Sequence, residues 1–163
     1  IGLEVATQLF AMQNIEVHHT TAADRWQVTI TMAQLGAQRI LVIDDMPDIP
    51  LLFQRFTKAY AVEVYSAASG VEALRLLQEM TPSLILLDVM LPRHDGWEIL
   101  QTLKSNPATA AIPVVICSIL NEPGLARALG ANSYLAKPVS QEALLQVLAQ
   151  WLQPQPARGA AQP

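Results

Sequence analysis

From Ile40 onward two hydrophobic patterns alternate along the chain. Continuous apolar runs at Ile40 to Ile43, Val62 to Tyr65, Leu84 to Leu87 and Val114 to Ile116, with the shorter Ser133 to Ala136, read as strands buried on both faces. Between them lie "LLFQRFTKAY" after Pro50, "GVEALRLLQEM" from Gly70, "GWEILQTLKSN" from Gly96 and "SQEALLQVLAQWL" from Ser140. Each repeats apolar residues at three- and four-residue spacing with polar ones opposite, which predicts amphipathic helices. Ser140 is a helix-capping residue type, and Pro82 and Pro107 stand where helices should stop. The stretch "LNEPGLARALG" leaves room for a short helix at most.

Strand and helix in alternation predict an α/β domain: a parallel sheet with right-handed crossovers and helices on both faces. In such sheets ligands bind beyond the carboxyl ends of the strands. Asp44 and Asp45 stand at that end of the first strand, Asp88 at that of the third, Ser118 at that of the fourth and Lys137 at that of the last. These polar groups should converge on one edge.

The upstream region follows another pattern. Residues 1 to 13, "IGLEVATQLFAMQ", have helical spacing, and "IEVHH" and "WQVTITM" alternate as two strands joined by Thr20 to Arg25. The expected organisation is an N-terminal helix and β-hairpin over 1–36, with Gly36 to Gln38 as a linker, and the α/β domain over 38–152. A disordered tail, "QPQPARGAAQP", is expected over 153–163. The start at Ile1, without an initiating methionine, points to a piece of a longer protein.

Composition narrows the partners. A net charge of -4 and a pI near 5.2 give no basic face for phosphate backbones, so direct nucleic-acid binding is not expected. No apolar run approaches the length of a membrane span, and there is no signal-peptide pattern, so no membrane insertion is expected. The single cysteine, Cys117, excludes an internal disulfide framework and fits a reducing, cytoplasmic setting.

The adjacent carboxylates of "ILVIDDMPDI" set a chemical problem, because like charges leaving water raise the cost of ionising both. A cation or a solvated turn resolves it. A carboxylate can attack phosphorus to form an acyl phosphate once the charges on both are neutralised. Mg2+, a hard oxygen-loving cation, does this, and Asp44, Asp45 and Asp88 can supply its anionic side. Lys137 adds a positive charge across the phosphoryl group, and the Ser118 hydroxyl a hydrogen bond to it.

Four segments, "LVIDDMPDI", "LILLDVMLPRHDGWEIL", "PVVICSIL" and "GANSYLAKPV", together resemble the receiver domain of two-component response regulators. The resemblance implies a flavodoxin-like, doubly wound five-stranded sheet of order 2-1-3-4-5. It implies that Asp88 is the phosphoacceptor, taking a phosphoryl group from a phosphohistidine on a histidine kinase or phosphotransfer domain. Asp45 and Asp88 would bind Mg2+ with the backbone carbonyl of Met90, and Asp44 would act through the metal's water shell. Ser118 and Lys137 would hold the phosphoryl group, and Tyr134 falls at the family's switch aromatic. Phosphorylation would thereby alter the face made by the domain's fourth helix, fifth strand and fifth helix, which partners read; the resemblance also allows a homodimer, though the short fourth helix speaks against the family's usual dimerisation mode. Such a domain catalyses its own phosphorylation and dephosphorylation at most.

This chain departs from the family at Ile119, a position commonly small. Ile119 and Leu120 with Met90 are expected to crowd an acyl phosphate and slow hydrolysis. The compact connection from Ser118 to Lys137 resembles receivers attached to hybrid sensor kinases. Residues 1–34 more loosely resemble the last helix and two strands of a histidine-kinase ATP-binding domain. Glycines usual there are replaced by Asn14 and by Arg25 to Trp26, and the earlier nucleotide-binding elements are missing, so no ATP binding is expected.

Plainer readings stand beside these. A receiver-shaped interaction module that no longer cycles phosphate is the alternative function, and the intact set of Asp44, Asp45, Asp88, Ser118 and Lys137 counts against it. A phosphohydrolase with an aspartyl nucleophile would place its nucleophile and acid two residues apart at the first strand, unlike "DDM". Taken singly, Asp44 and Asp45 read as a solvated turn and Tyr134 as simple packing. Cys117 reads as a small core residue. His18 and His19 sit in a strand pattern without the acidic neighbour of a phosphorylated histidine.

Overall fold

A computed structural model describes residues 15–22, 25–32, 38–92 and 95–152. The expected N-terminal helix and C-terminal tail lie outside the described residues. The chain divides into two compact units, the first containing the β1–β2 hairpin and the second spanning Ala37–Gln153. In the hairpin, β1 (Ile15–Ala22) pairs antiparallel with β2 (Arg25–Met32), in a register that sets Val17 opposite Ile30 and Thr21 opposite Trp26.

The second unit alternates strand and helix throughout. Its elements are β3 (Gln38–Ile43), α1 (Asp48–Thr57), β4 (Val62–Ala67), α2 (Gly70–Glu79), β5 (Leu84–Leu87), α3 (Gly96–Ser105), β6 (Val114–Ser118), α4 (Pro123–Ala128), β7 (Ser133–Ala136) and α5 (Gln141–Trp151). The five strands are parallel and ordered β4-β3-β5-β6-β7. That is the expected 2-1-3-4-5 order within the domain, with strand order reversing beside β3.

The central strands carry apolar residues at every position because both faces are covered, and successive side chains go to opposite sides. Leu41, Ile43, Ile85, Leu87, Val114 and Ile116 pack beneath α2, α3 and α4, against Ala73, Ile99, Leu100, Leu103 and Ala126. Ile40, Val42, Leu84, Leu86, Val115 and Cys117 pack against Phe53 of α1 and Leu144, Val147 and Leu148 of α5. β4 differs from the expected doubly buried strand. As an edge strand it leaves Glu63 and Ser66 exposed and Val62 and Val64 half-buried. Gln38, expected in the linker, pairs in β3 with Val62 and so belongs to the sheet.

Helix starts follow local chemistry. Ser69, Asp95 and Ser140 cap α2, α3 and α5 by accepting hydrogen bonds from the backbone N–H of Glu72, Trp97 and Ala143. α1 begins two residues before Pro50, which its ring tolerates because the first-turn N–H groups have no helical partner. α4 spans only six residues, opened by Pro123. No helix among the described residues is long and apolar enough to cross a membrane.

Candidate functional site

Parallel strands end together, so the residues that follow β3, β5, β6 and β7 meet at one edge. Asp44 directly follows Ile43 and Asp88 directly follows Leu87, and β3 and β5 are hydrogen-bonded neighbours. The ladder continues one step past the strands, with the N–H of Asp88 donating to the Ile43 carbonyl at 2.9 Å.

Both carboxylates are held in the same way. Asp44 Oδ1 accepts from the N–H of Met46 at 2.9 Å, and Asp88 Oδ1 accepts from the N–H of Met90 at 2.8 Å. Each is a two-residue turn closed by an aspartate side chain, which leaves Oδ2 free to face the centre of the site. Lys137, just after β7, occupies that centre: its Nζ lies 2.6 Å from Asp44 Oδ2 and 2.5 Å from Asp88 Oδ2. Burial pushes the Asp44 carboxyl above the ordinary carboxylate range, against the opposing pull of Lys137 and the Met46 N–H. Lys137 is drawn down by burial but held above its ordinary value by its hydrogen bonds to Asp44 and Asp88.

Asp45 is exposed while Asp44 and Asp88 are buried, and one carboxylate oxygen from each lies within 4.8 Å of the others. Three carboxylates against one ammonium leave the site with the excess negative charge that one divalent cation would cancel. The donor set is all hard oxygen, as Mg2+ requires.

Ser118 ends β6 and is fully buried. Its Oγ accepts from the N–H of Leu120 at 3.3 Å and makes no hydrogen bond to Asp88 or Lys137 among the described residues, so the hydroxyl is turned into its own loop. The Tyr134 hydroxyl donates to the Ser118 carbonyl at 3.1 Å and also reaches the Leu120 carbonyl. Tyr134 is thus tied to the backbone that follows β6, with its ring packed against the core beneath α3 and α4.

Ile119, expected to crowd an acyl phosphate, directly follows the buried Ser118 and is itself 69% exposed. Met46 and Met90, whose N–H groups hold the two carboxylates, are about half exposed, and Leu120 is partly exposed. Spacing alone missed the two orienting N–H groups of Met46 and Met90. The repeated Asp-x-Met of "DDM" and "DVM" was the visible trace, although the donors are backbone groups that any residue but proline would supply. His94 falls outside the described residues.

The sequence pattern of the "Response regulator receiver domain" matches residues 40–149. Protein PilG of Pseudomonas aeruginosa is 33% identical over 115 residues, covering 69% of this chain and 85% of PilG. The chain spans only 13% to 46% of the length of other curated relatives it matches. Among solved structures, the signal receiver domain of a signal transduction histidine kinase from Syntrophus aciditrophicus is 28% identical with a TM-score of 0.65, covering 71% of this chain and 90% of that one. The phosphorylated cyanobacterial phytochrome response regulator RcpA is 28% identical with a TM-score of 0.63, covering 75% of this chain and 99% of that one. The family pattern over residues 40–149 and the 33% identity to a relative covered over 85% of its length lead to one conclusion: the chain belongs to the response regulator receiver domain family.

Proposed function

We propose that Asp88 is the phosphoacceptor of this receiver domain and that the donor is a phosphohistidine on a histidine kinase or phosphotransfer domain. The observation that carries this is the convergence of Asp44, Asp45, Asp88 and Lys137 on the carboxyl edge of the sheet. In the transfer, an Asp88 carboxylate oxygen forms a bond to phosphorus as the phosphorus–nitrogen bond to the donor imidazole breaks, and the imidazole keeps the electron pair. The Met90 N–H holds Oδ1, so Oδ2 is the oxygen presented for attack once Lys137 moves off it to the incoming phosphoryl group.

Asp45 and Asp88, with the Met90 carbonyl, would hold Mg2+, and Asp44 would support it from the adjacent turn. Bound there, Mg2+ would neutralise charge on the phosphoryl oxygens. Lys137 does the same from the opposite side as a point charge. Ser118 and Tyr134 form the switch: rotation of the Ser118 hydroxyl away from the Leu120 N–H and toward the phosphoryl group releases the loop that Tyr134 grips. α4, β7 and α5 are the elements on which that change is read.

Intact mass after incubation with Mg2+ and acetyl phosphate tests the reading. One phosphoryl increment is expected, absent in Asp88→Asn and without Mg2+. No increment under conditions that label another receiver would favour the non-phosphorylated interaction module. The β1–β2 hairpin supports reading residues 1–36 as the closing part of a kinase ATP-binding domain placed upstream of the receiver, a hybrid arrangement.

A further inference from the structure

Gly96 opens α3 with an ordinary backbone conformation, so it is not there for conformational freedom. What sets it apart is what lies against it. A Cβ built on Gly96 would stand 2.3 Å from Val89 Cα, 2.8 Å from the Asp88 carbonyl oxygen and 2.9 Å from the Val89 carbonyl carbon. All three are backbone atoms of the peptide that carries Asp88 into Met90. The Gly96 N–H also donates to the Val89 carbonyl at 3.3 Å, closing the loop from Asp88 to α3 upon itself.

Gly70, the first residue of α2, gives the contrast. A Cβ there would meet the Ile99 side chain at 2.7 and 2.8 Å, and a side-chain end can rotate away. Backbone cannot. Any atom added at Gly96 must push the Asp88–Val89 peptide or move the whole start of α3, whose Asp95 cap and Ile99, Leu100 and Leu103 core contacts resist displacement.

We infer that Gly96 is a positioning residue for the phosphoacceptor. The bare Cα of Gly96 is a backstop that sets the height of the Asp88–Met90 turn, and through it the direction of Asp88 Oδ2 and of the Met90 carbonyl. The inference rests on the reading of Asp88 as acceptor and metal ligand. Relieving so close an approach to backbone shifts that turn and separates Asp88 from Asp44 and Asp45 while the strands stay paired.

The test compares Gly96→Ala with Gly70→Ala and the unaltered chain. Three quantities are read: thermal midpoint, Mg2+ affinity from tryptophan fluorescence, and phosphoryl uptake from acetyl phosphate by intact mass. Both variants should melt earlier. Only Gly96→Ala should bind Mg2+ about tenfold or more weakly and take up phosphoryl correspondingly slowly, the scale expected when a positioned group is displaced by up to about an ångström. Should Gly96→Ala unfold in plain buffer, all three proteins are compared in a protecting osmolyte.

Mg2+ affinity and uptake in Gly96→Ala matching those of Gly70→Ala would overturn the inference. So would a Gly96→Ala chain that no osmolyte refolds, since the contact would then be a requirement of folding. If the unaltered chain binds Mg2+ but takes up no phosphoryl group, the proposed acceptor role fails, and the Mg2+ comparison still decides the positioning role. If it binds no Mg2+ either, both fall.

Discussion

Lys137 Nζ lies 2.6 Å from Asp44 Oδ2 and 2.5 Å from Asp88 Oδ2, so one ammonium bridges carboxylates delivered by two neighbouring strands. Its own side chain comes from a third strand, two positions across the sheet from β5. The bridge sets one positive charge against two buried carboxylates.

Lys137→Met keeps the aliphatic stem and removes the charge. Without divalent cations, Asp44 and Asp88 would be left buried and unpaired, at an expected cost of about 3 kcal/mol. Mg2+ should then bind about tenfold more tightly, because no internal cation competes for the same oxygens. Melting in EDTA and a Mg2+ titration check both. The pH dependence has a definite sign: a lysine held above its ordinary value stabilises the fold fully below that value. The contribution disappears only as the pH rises through the raised native value.

Tyr134→Phe keeps the ring and deletes the hydroxyl that grips the Ser118 and Leu120 carbonyls. The expected loss is about 1 kcal/mol, with faster amide exchange over Ile119 to Asn121. Phosphoryl uptake on Asp88 should persist, since the hydroxyl makes no hydrogen bond to the carboxylates. A variant that lost uptake altogether would place Tyr134 in the acceptor chemistry instead.

Cys117 is buried in β6, and burial pushes its thiol up to about 12. Iodoacetamide at pH 8.5 should label it slowly in the folded chain and quickly in urea. Because the native thiol titrates above the unfolded one, stability should also fall as the pH rises between the two values. Rapid labelling of the folded chain would show that β6 opens locally.

Lys104→Met should cost about 1 to 3 kcal/mol, because it strips a donor from carbonyl groups at the opposite edge of the sheet. Lys104 Nζ donates to the Ile112 carbonyl and to Asn132 Oδ1, each at 2.9 Å, tying the end of α3 to the starts of β6 and β7. Mg2+ affinity should stay within about twofold of the unaltered chain, as expected of sites that share no partners. A larger change would reveal coupling across the whole sheet.

Much of this was legible in linear order. Doubly buried strands must be apolar at every position, so Ile40 to Ile43 and Leu84 to Leu87 announced themselves, and the residues after them had to lie at the ligand-binding edge. β4 was less transparent, because an edge strand and a central strand can carry the same residue types and differ only in what lies beside them. The orientation of Ser118 was not legible either, because its hydroxyl accepts from the Leu120 N–H and that contact is set by the geometry of the loop.

By itself, the sequence determined the alternation of strand and helix, the identity of the charged residues and the edge on which they meet, because periodicity and charge are local properties of the chain. Tertiary structure decided the rest. The convergence of Lys137 on Asp44 and Asp88 joins residues 93 and 49 positions apart, and the exposure of Ile119 and the close approach of Gly96 to the Val89 backbone depend on how each loop folds against the sheet. Packing sets these contacts to tenths of an ångström, and no local pattern of residue types encodes them.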